Sequence, residues 1–173
     1  MSELNSLCDI TIFGGHGDLA FRKLMPALYH LSDAGYLLQT SRIITATRVQ
    51  MGQDEHIALV KTKLQEFLPA EAFDEAKFNR FKEQLHVVII DFADEQSYAG
   101  LHELLSAYPD RDRVNYISTA PDFFGVICKA LSKWELVSEK SRVVLEKPIG
   151  RDLKSSRVIN VEVLKYFDEC QIY

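Results

Sequence analysis

A chain of 173 residues, 47% hydrophobic and 26% charged, is long enough to bury one good core and has an ordinary globular composition. Its formal charge of −5, with no block of Lys or Arg, argues against a nucleic-acid-binding surface. No apolar run approaches membrane-spanning length, and the opening MSELNSLCD lacks the basic flank and apolar core of a secretory leader, so the expected location is the cytoplasm. The first strand is expected at 8–13 (CDITIF), followed across a glycine-rich turn by a helical pattern at 18–34. A second strand at 42–47 (RIITAT) leads to a helix at 54–67, with a further short helix in 70–84. A third strand at 86–91 (HVVIID) precedes a helix near 94–107, and a fourth at 113–118 (RVNYIS) precedes one at 122–133. A fifth strand at 142–146 (RVVLE) is followed by a helix at 152–167. The strands are rich in Val and Ile and almost continuously apolar, as strands covered on both faces are. Their alternation with helices predicts an α/β fold, a doubly wound and mainly parallel sheet with helices on both faces. With no internal repeat or long linker, one domain over 1–173 is expected.

Cys8, Cys128 and Cys170 are odd in number, far apart and without C-x-x-C spacing. They read as reduced thiols of a cytoplasmic protein, not as disulfides, and the chain offers no metal-ligand pattern.

Gly14, Gly15 and Gly17 fall between the first strand and the first helix, and Gly15-His16-Gly17-Asp18-Leu19-Ala20 fits the pattern G-x-G-x-x-A. In that context one glycine makes the turn, another admits a pyrophosphate, and the small third residue lets helix and strand pack closely. The N–H groups and positive dipole end of the helix then hold the phosphates. The plainer alternative is a glycine-rich turn with Asp18 as an ordinary helix N-cap. The strand before, the helix after and the βα alternation throughout favour a dinucleotide-binding, Rossmann-like domain. NAD sites place a carboxylate at the end of the second strand for the ribose 2′-hydroxyl. Here that strand ends Ala46-Thr47-Arg48, so the expected coenzyme is NADP, with Arg48 meeting its 2′-phosphate; a solvated arginine at a strand end is the alternative.

The stretches FGGHGDLAFRKLMPALYHL, TATR, NYISTAPDFFGVICKAL and RVVLEKPIGRDLKSSRVIN, in this order, resemble the N-terminal coenzyme-binding part of the glucose-6-phosphate dehydrogenase family, its bacterial members above all. The resemblance runs from about residue 8 to the end, and Glu146-Lys147-Pro148-x-Gly150 is its most specific piece. It implies that Gly14, Gly15, Gly17, Asp18 and Leu19 form the pyrophosphate turn, that Arg48 grips the 2′-phosphate, and that Asp91 and Phe92 flank the adenosine. Lys147 would reach the nicotinamide side and the sugar phosphate, Lys23 would face the substrate pocket, and the Lys147–Pro148 bond would be cis. The chain departs from the family at His16, where a small or hydroxyl residue is usual. An imidazole there can bind the 2′-phosphate or crowd the pocket. It departs again at Ala120-Pro121, where the family has two prolines.

The activity implied is oxidation of glucose 6-phosphate with hydride transfer to NADP, a reaction of the pentose phosphate pathway. The family's base, a histidine, and its α+β catalytic domain lie in a segment beyond "ECQIY". No histidine of this chain matches the base, and no turnover is expected from these residues alone. The same resemblance implies a homo-oligomer formed through that later domain. The competing reading is a stand-alone NADP-sensing module without chemistry.

Overall fold

Ile43 and Ile44 are neighbours in one strand and both fully buried, yet they belong to different cores. Successive side chains of a strand point to opposite faces, so a strand apolar at every position needs cover on both sides. The computed structural model describes residues 7–173 and supplies that cover. Five strands, β1 (Cys8–Phe13), β2 (Arg42–Thr47), β3 (Leu85–Ile89), β4 (Asp112–Ile117) and β5 (Ser141–Leu145), form one parallel sheet in the order β3-β2-β1-β4-β5. On one face α1 (Met25–Asp33), α2 (Gln53–Phe67) and α3 (Glu75–Phe81) close over Ile12, Ile43 and Leu85. On the other, α4 (Ala99–Ser106), α5 (Phe124–Lys133) and α6 (Leu153–Val163) close over Phe13, Ile44, Ile117 and Val143. All six residues of β2 are buried, as the unbroken run RIITAT requires.

The expected strands stand within a residue or two of those observed. The helices differ more. The pattern at 18–34 divides into a π turn (Ala20–Leu24) followed by α1. The stretch 70–84 is not one short helix but α3 between two 3₁₀ turns, Ala70–Ala72 and Lys82–Gln84. Asp74 starts α3 by accepting the Lys77 N–H at 2.8 Å, which ends any continuous helix there. The fourth and fifth helices each open with a 3₁₀ turn, and α6 stops at Val163 instead of 167.

The N-terminal ends of the strands are held by charge. Asp9 of β1 lies in register with Arg42 of β2 on one side and Arg113 of β4 on the other. Its carboxylate, fully buried, accepts two hydrogen bonds from Arg42, at 2.8 and 2.5 Å, and one from Arg111 at 3.1 Å. Arg42 also donates to the Leu104 carbonyl, Arg111 to that of Thr40, and both guanidiniums lie over the Tyr108 ring. Arg113 donates to the carbonyls of Leu136 and Leu105.

Both sheet edges are met by local groups. On β3 the Gln53 carboxamide donates to Leu85 O at 2.6 Å and accepts from Val87 N at 3.2 Å, as a paired strand would. On β5 the backbone of Tyr173 accepts from Leu145 N and donates to Val143 O, both at 2.9 Å. Among the described residues no helix is long and apolar enough to cross a membrane.

Candidate functional site

Phe13, the last residue of β1, lies level with Ala46 of β2 and with Ile117 of β4. The loops that leave these three strands therefore start side by side. They do so between β1 and β4, where the strand order reverses, and ligands of such sheets bind outside the carboxyl ends at that point. A cleft of about 360 Å³ opens there, lined by Gly14, His16 and Gly17 from the first loop, Thr47, Arg48 and Val49 from the second, and Ser118, Thr119, Ala120 and Phe123 from the third, with Phe92. Larger depressions exist, about 510 Å³ beside Tyr108 and about 580 Å³ between α2 and β3, but neither has a glycine turn or lies at the strand C-termini.

The first loop is shaped by what a side chain would strike. Gly14 has φ +80, and a Cβ on it would stand 2.9 Å from the Ser118 carbonyl oxygen. Only glycine takes that conformation without strain. A Cβ on Gly15 would come 2.9 Å from Thr45 Cγ2, so this glycine serves close packing of loop on β2. Gly14 N and Gly15 N both donate to Ala46 O, and Gly17 N closes the turn on Gly14 O at 2.9 Å. Ala20, fully buried, is the small residue that seats the first helical turn on the sheet. Asp18 does not act as a capping side chain: it is largely exposed, and its hydrogen bond is a long one, 3.5 Å, from Arg22.

Arg48 is exposed at the end of β2 and enters no ion pair among the described residues. Phe92 is buried and meets Phe13 and Phe123 edge-on at 6.0 and 5.9 Å, making an aromatic wall behind the cleft. Asp91 stands outside the cleft lining; its carboxylate accepts from Ala93 N and its carbonyl from Asp94 N, which shapes the turn after β3. Lys23 and Lys147 are exposed and also outside that lining. Lys147 follows β5 and precedes a cis peptide to Pro148, and the preceding Glu146 accepts a short hydrogen bond from the Tyr116 hydroxyl. Burial and that hydrogen bond push the Tyr116 phenol up to about 12. Thr47, Ser118, Thr119 and Phe123 fall within the stretches TATR and NYISTAPDFFGVICKAL that carry the resemblance but were given no role there, and Val49 lies just beyond TATR. What singles them out is position, at or just past the ends of the second and fourth strands.

His16 lies edge-on to Phe21 at 5.5 Å, with its Nδ1 buried and without a hydrogen-bond partner. His56, in the first turn of α2, is fully buried, and neither ring nitrogen has a partner. Burial, then the charges of His16 and His86, lowers its pKa to about 4. A histidine that must stay neutral when folded penalises the native state at acid pH. The penalty is absent above the unfolded value of about 6.5 and grows as pH falls toward the folded value near 4. Stability is expected to fall by about 2 kcal/mol between about pH 7.5 and pH 5 from His56 alone. Urea unfolding of the chain and of His56→Phe at both pH values measures it; an equal loss in the variant would remove His56 as the cause. Burial pushes the Cys8 and Cys128 thiols up to about 12, which disfavours the thiolate at both.

Glycine turn, helix start and cleft at the switch point define the class: a Rossmann-type dinucleotide-binding domain. Residues 11–173 match the family model described as glucose-6-phosphate dehydrogenase, NAD binding domain. A glucose-6-phosphate 1-dehydrogenase of Dickeya dadantii is 40% identical over 166 residues, 96% of this chain and 33% of the relative. One of Leuconostoc mesenteroides is 33% identical over 180 residues, 100% of this chain and 36% of the relative. The crystal structure of the Mycobacterium avium glucose-6-phosphate 1-dehydrogenase superposes with a TM-score of 0.87 at 30% identity, over 96% of this chain and 35% of that one. A glucose-6-phosphate dehydrogenase in complex with its substrate glucose-6-phosphate gives 0.84 at 28%, over 100% and 37%. The chain belongs to the glucose-6-phosphate dehydrogenase family, as its nicotinamide-dinucleotide-binding domain. It spans about a third of the length of the relatives it matches.

Proposed function

We propose that this chain binds NADP in preference to NAD, as the coenzyme domain of a glucose-6-phosphate 1-dehydrogenase. The observation that carries this reading is the end of β2: no carboxylate for a ribose 2′-hydroxyl, and an exposed Arg48, in no ion pair among the described residues, on the same cleft as the glycine turn. The residues present suit the phosphates of a dinucleotide. Gly14, Gly15, Gly17, Asp18 and Leu19 form the turn that takes the pyrophosphate, with the N–H groups of the three glycines engaged in shaping it; Arg48 and His16 take the 2′-phosphate, and Phe92 with Asp91 the adenosine side. Lys147 reaches toward the nicotinamide and the sugar phosphate, and Lys23 toward the substrate.

Bound NADP supplies the hydride acceptor for oxidation of glucose 6-phosphate at C1. The part of these residues is to bind and orient it, which can account for several kcal/mol of a barrier. The base that takes the hydroxyl proton belongs, in this reading, to the remaining two thirds of the relatives' length, with any oligomer contacts. Calorimetric titration with each coenzyme tests the preference. A hydrogen bond to a charged group contributes about 1.5–3 kcal/mol, so NADP is expected to bind roughly ten- to a hundred-fold more tightly than NAD. Arg48→Ala should erase most of the gap. Equal affinities in the unsubstituted chain would overturn the assignment of Arg48.

A further inference from the structure

Buried polar atoms in folded proteins are nearly always paired, so an orphan calls for a reason. Two of the residues that carry such an atom line the cleft: His16, through Nδ1, and Ser118, through its hydroxyl oxygen. The Ser118 hydroxyl is shut off from water and has no partner among the described residues. Its backbone, by contrast, is fixed. Ser118 N donates to Phe13 O at 3.0 Å, and the Ser118 carbonyl oxygen stands 2.9 Å from where a Cβ on Gly14 would be. We propose that Ser118 is a coenzyme-binding residue, its hydroxyl donating to a pyrophosphate oxygen on the nicotinamide side. The inference rests on the reading of the cleft as a dinucleotide site.

The glycine turn leaves a need for such a donor. Gly14 N and Gly15 N are engaged by Ala46 O, and Gly17 N by Gly14 O, so a phosphate seated there must draw on other groups. The sheet also indicates which phosphate. In the doubly wound arrangement the half ending at β3 carries one nucleotide and the half begun by β4 the other, with the dinucleotide crossing between β1 and β4. Arg48, just past β2, is on the adenosine half in the proposed reading, and Ser118, the first residue past β4, is on the other. Gly14 lies between them, and its missing side chain is what lets the first and third loops approach.

A serine side chain has a single heavy-atom torsion, and a step between its staggered wells moves the oxygen without disturbing the backbone. The hydroxyl unpaired in the free chain thus turns to a phosphate oxygen once one is in the cleft. Hydrogen bonds to a charged oxygen are among the stronger ones. The free and bound states therefore respond to loss of the hydroxyl in opposite senses. In the free chain Ser118→Ala removes an unpaired buried group, so the variant should be at least as stable to urea as the parent. In the complex it removes a bond, and affinity falls.

Calorimetric titration of the 173-residue chain with NADP, NAD, ADP-ribose and adenosine 2′,5′-bisphosphate separates the contacts. The first three carry both phosphates of the pyrophosphate; the last keeps the 2′-phosphate and only the adenosine-side phosphate. Ser118→Ala is expected to bind the first three roughly ten-fold more weakly and the bisphosphate as the parent does. Arg48→Ala should give the crossed pattern, weakening NADP and the bisphosphate but not NAD or ADP-ribose. An equal loss for the bisphosphate in Ser118→Ala, or a less stable free variant, would mean that the side chain shapes the loop and holds no phosphate. Undiminished NADP binding would remove Ser118 from the site while leaving Arg48 and the dinucleotide reading in place. If the unsubstituted chain takes none of the four probes, the dinucleotide reading itself fails, and Ser118 with it.

Discussion

Replacing Asp9 by alanine is expected to cost about 3–5 kcal/mol of folding stability, the usual effect of removing one partner from a buried ion pair. The reason is what remains. Asp9 is the acceptor for three hydrogen bonds from Arg42 and Arg111, both nearly inaccessible to water. Without it, two guanidiniums that share the Tyr108 ring keep no anion among their hydrogen-bond partners in the described residues. Asp9→Asn keeps the shape and one acceptor and should cost less. Urea unfolding provides the measurement, and a loss below about 1 kcal/mol in the alanine variant would mean that the backbone carbonyls already satisfy the arginines. The network is at the opposite end of the strands from the cleft, so coenzyme affinity of the folded fraction should not change.

Gly14→Ala is expected to be the most damaging single methyl in the cleft, lowering both stability and NADP affinity. At φ +80 a non-glycine residue is strained by about 1–3 kcal/mol. The added carbon also meets a backbone oxygen, Ser118 O at 2.9 Å, which can retreat only if the loop after β4 moves. That loop supplies one wall of the cleft. Gly35 separates the two effects, because it has φ +78 with nothing within 4 Å of its missing Cβ. Gly35→Ala should show the strain without the collision and leave coenzyme binding alone. If the two variants lose equal stability and bind NADP equally, the close approach of Gly14 to Ser118 is not what shapes the cleft.

The fold was legible because its strands are covered on both faces, which leaves unbroken apolar runs in the sequence, RIITAT most clearly. Helix interiors were legible for the same reason, since each has one buried stripe. Helix beginnings were not. A π turn at Ala20–Leu24 and 3₁₀ turns at Glu95–Tyr98 and Pro121–Phe123 depend on how a chain leaves a strand and lands on the sheet, and no side-chain period encodes that. Of the candidate site, the glycine turn and Arg48 carried a motif and a spacing. Ser118 and Phe123 became neighbours of Gly14 only through the pairing of β1 with β4, a contact between residues about a hundred positions apart. Asp9 was hidden for the opposite reason. One carboxylate in an apolar strand looks like noise until the register sets arginines on both sides of it.

Gln53 and Tyr173 have a bearing on how this domain behaves in a crowded solution. The outer strand of a sheet is a template on which another molecule's backbone can add, and growth of that kind ends in precipitate. On β3 a single carboxamide occupies the donor and acceptor that an incoming strand would need first. On β5 the chain's own Tyr173 backbone takes the equivalent places. Neither contact touches the cleft, and neither is part of either core. Each edge thus has two of the backbone groups that an added strand would pair with already engaged, which blunts it as a template.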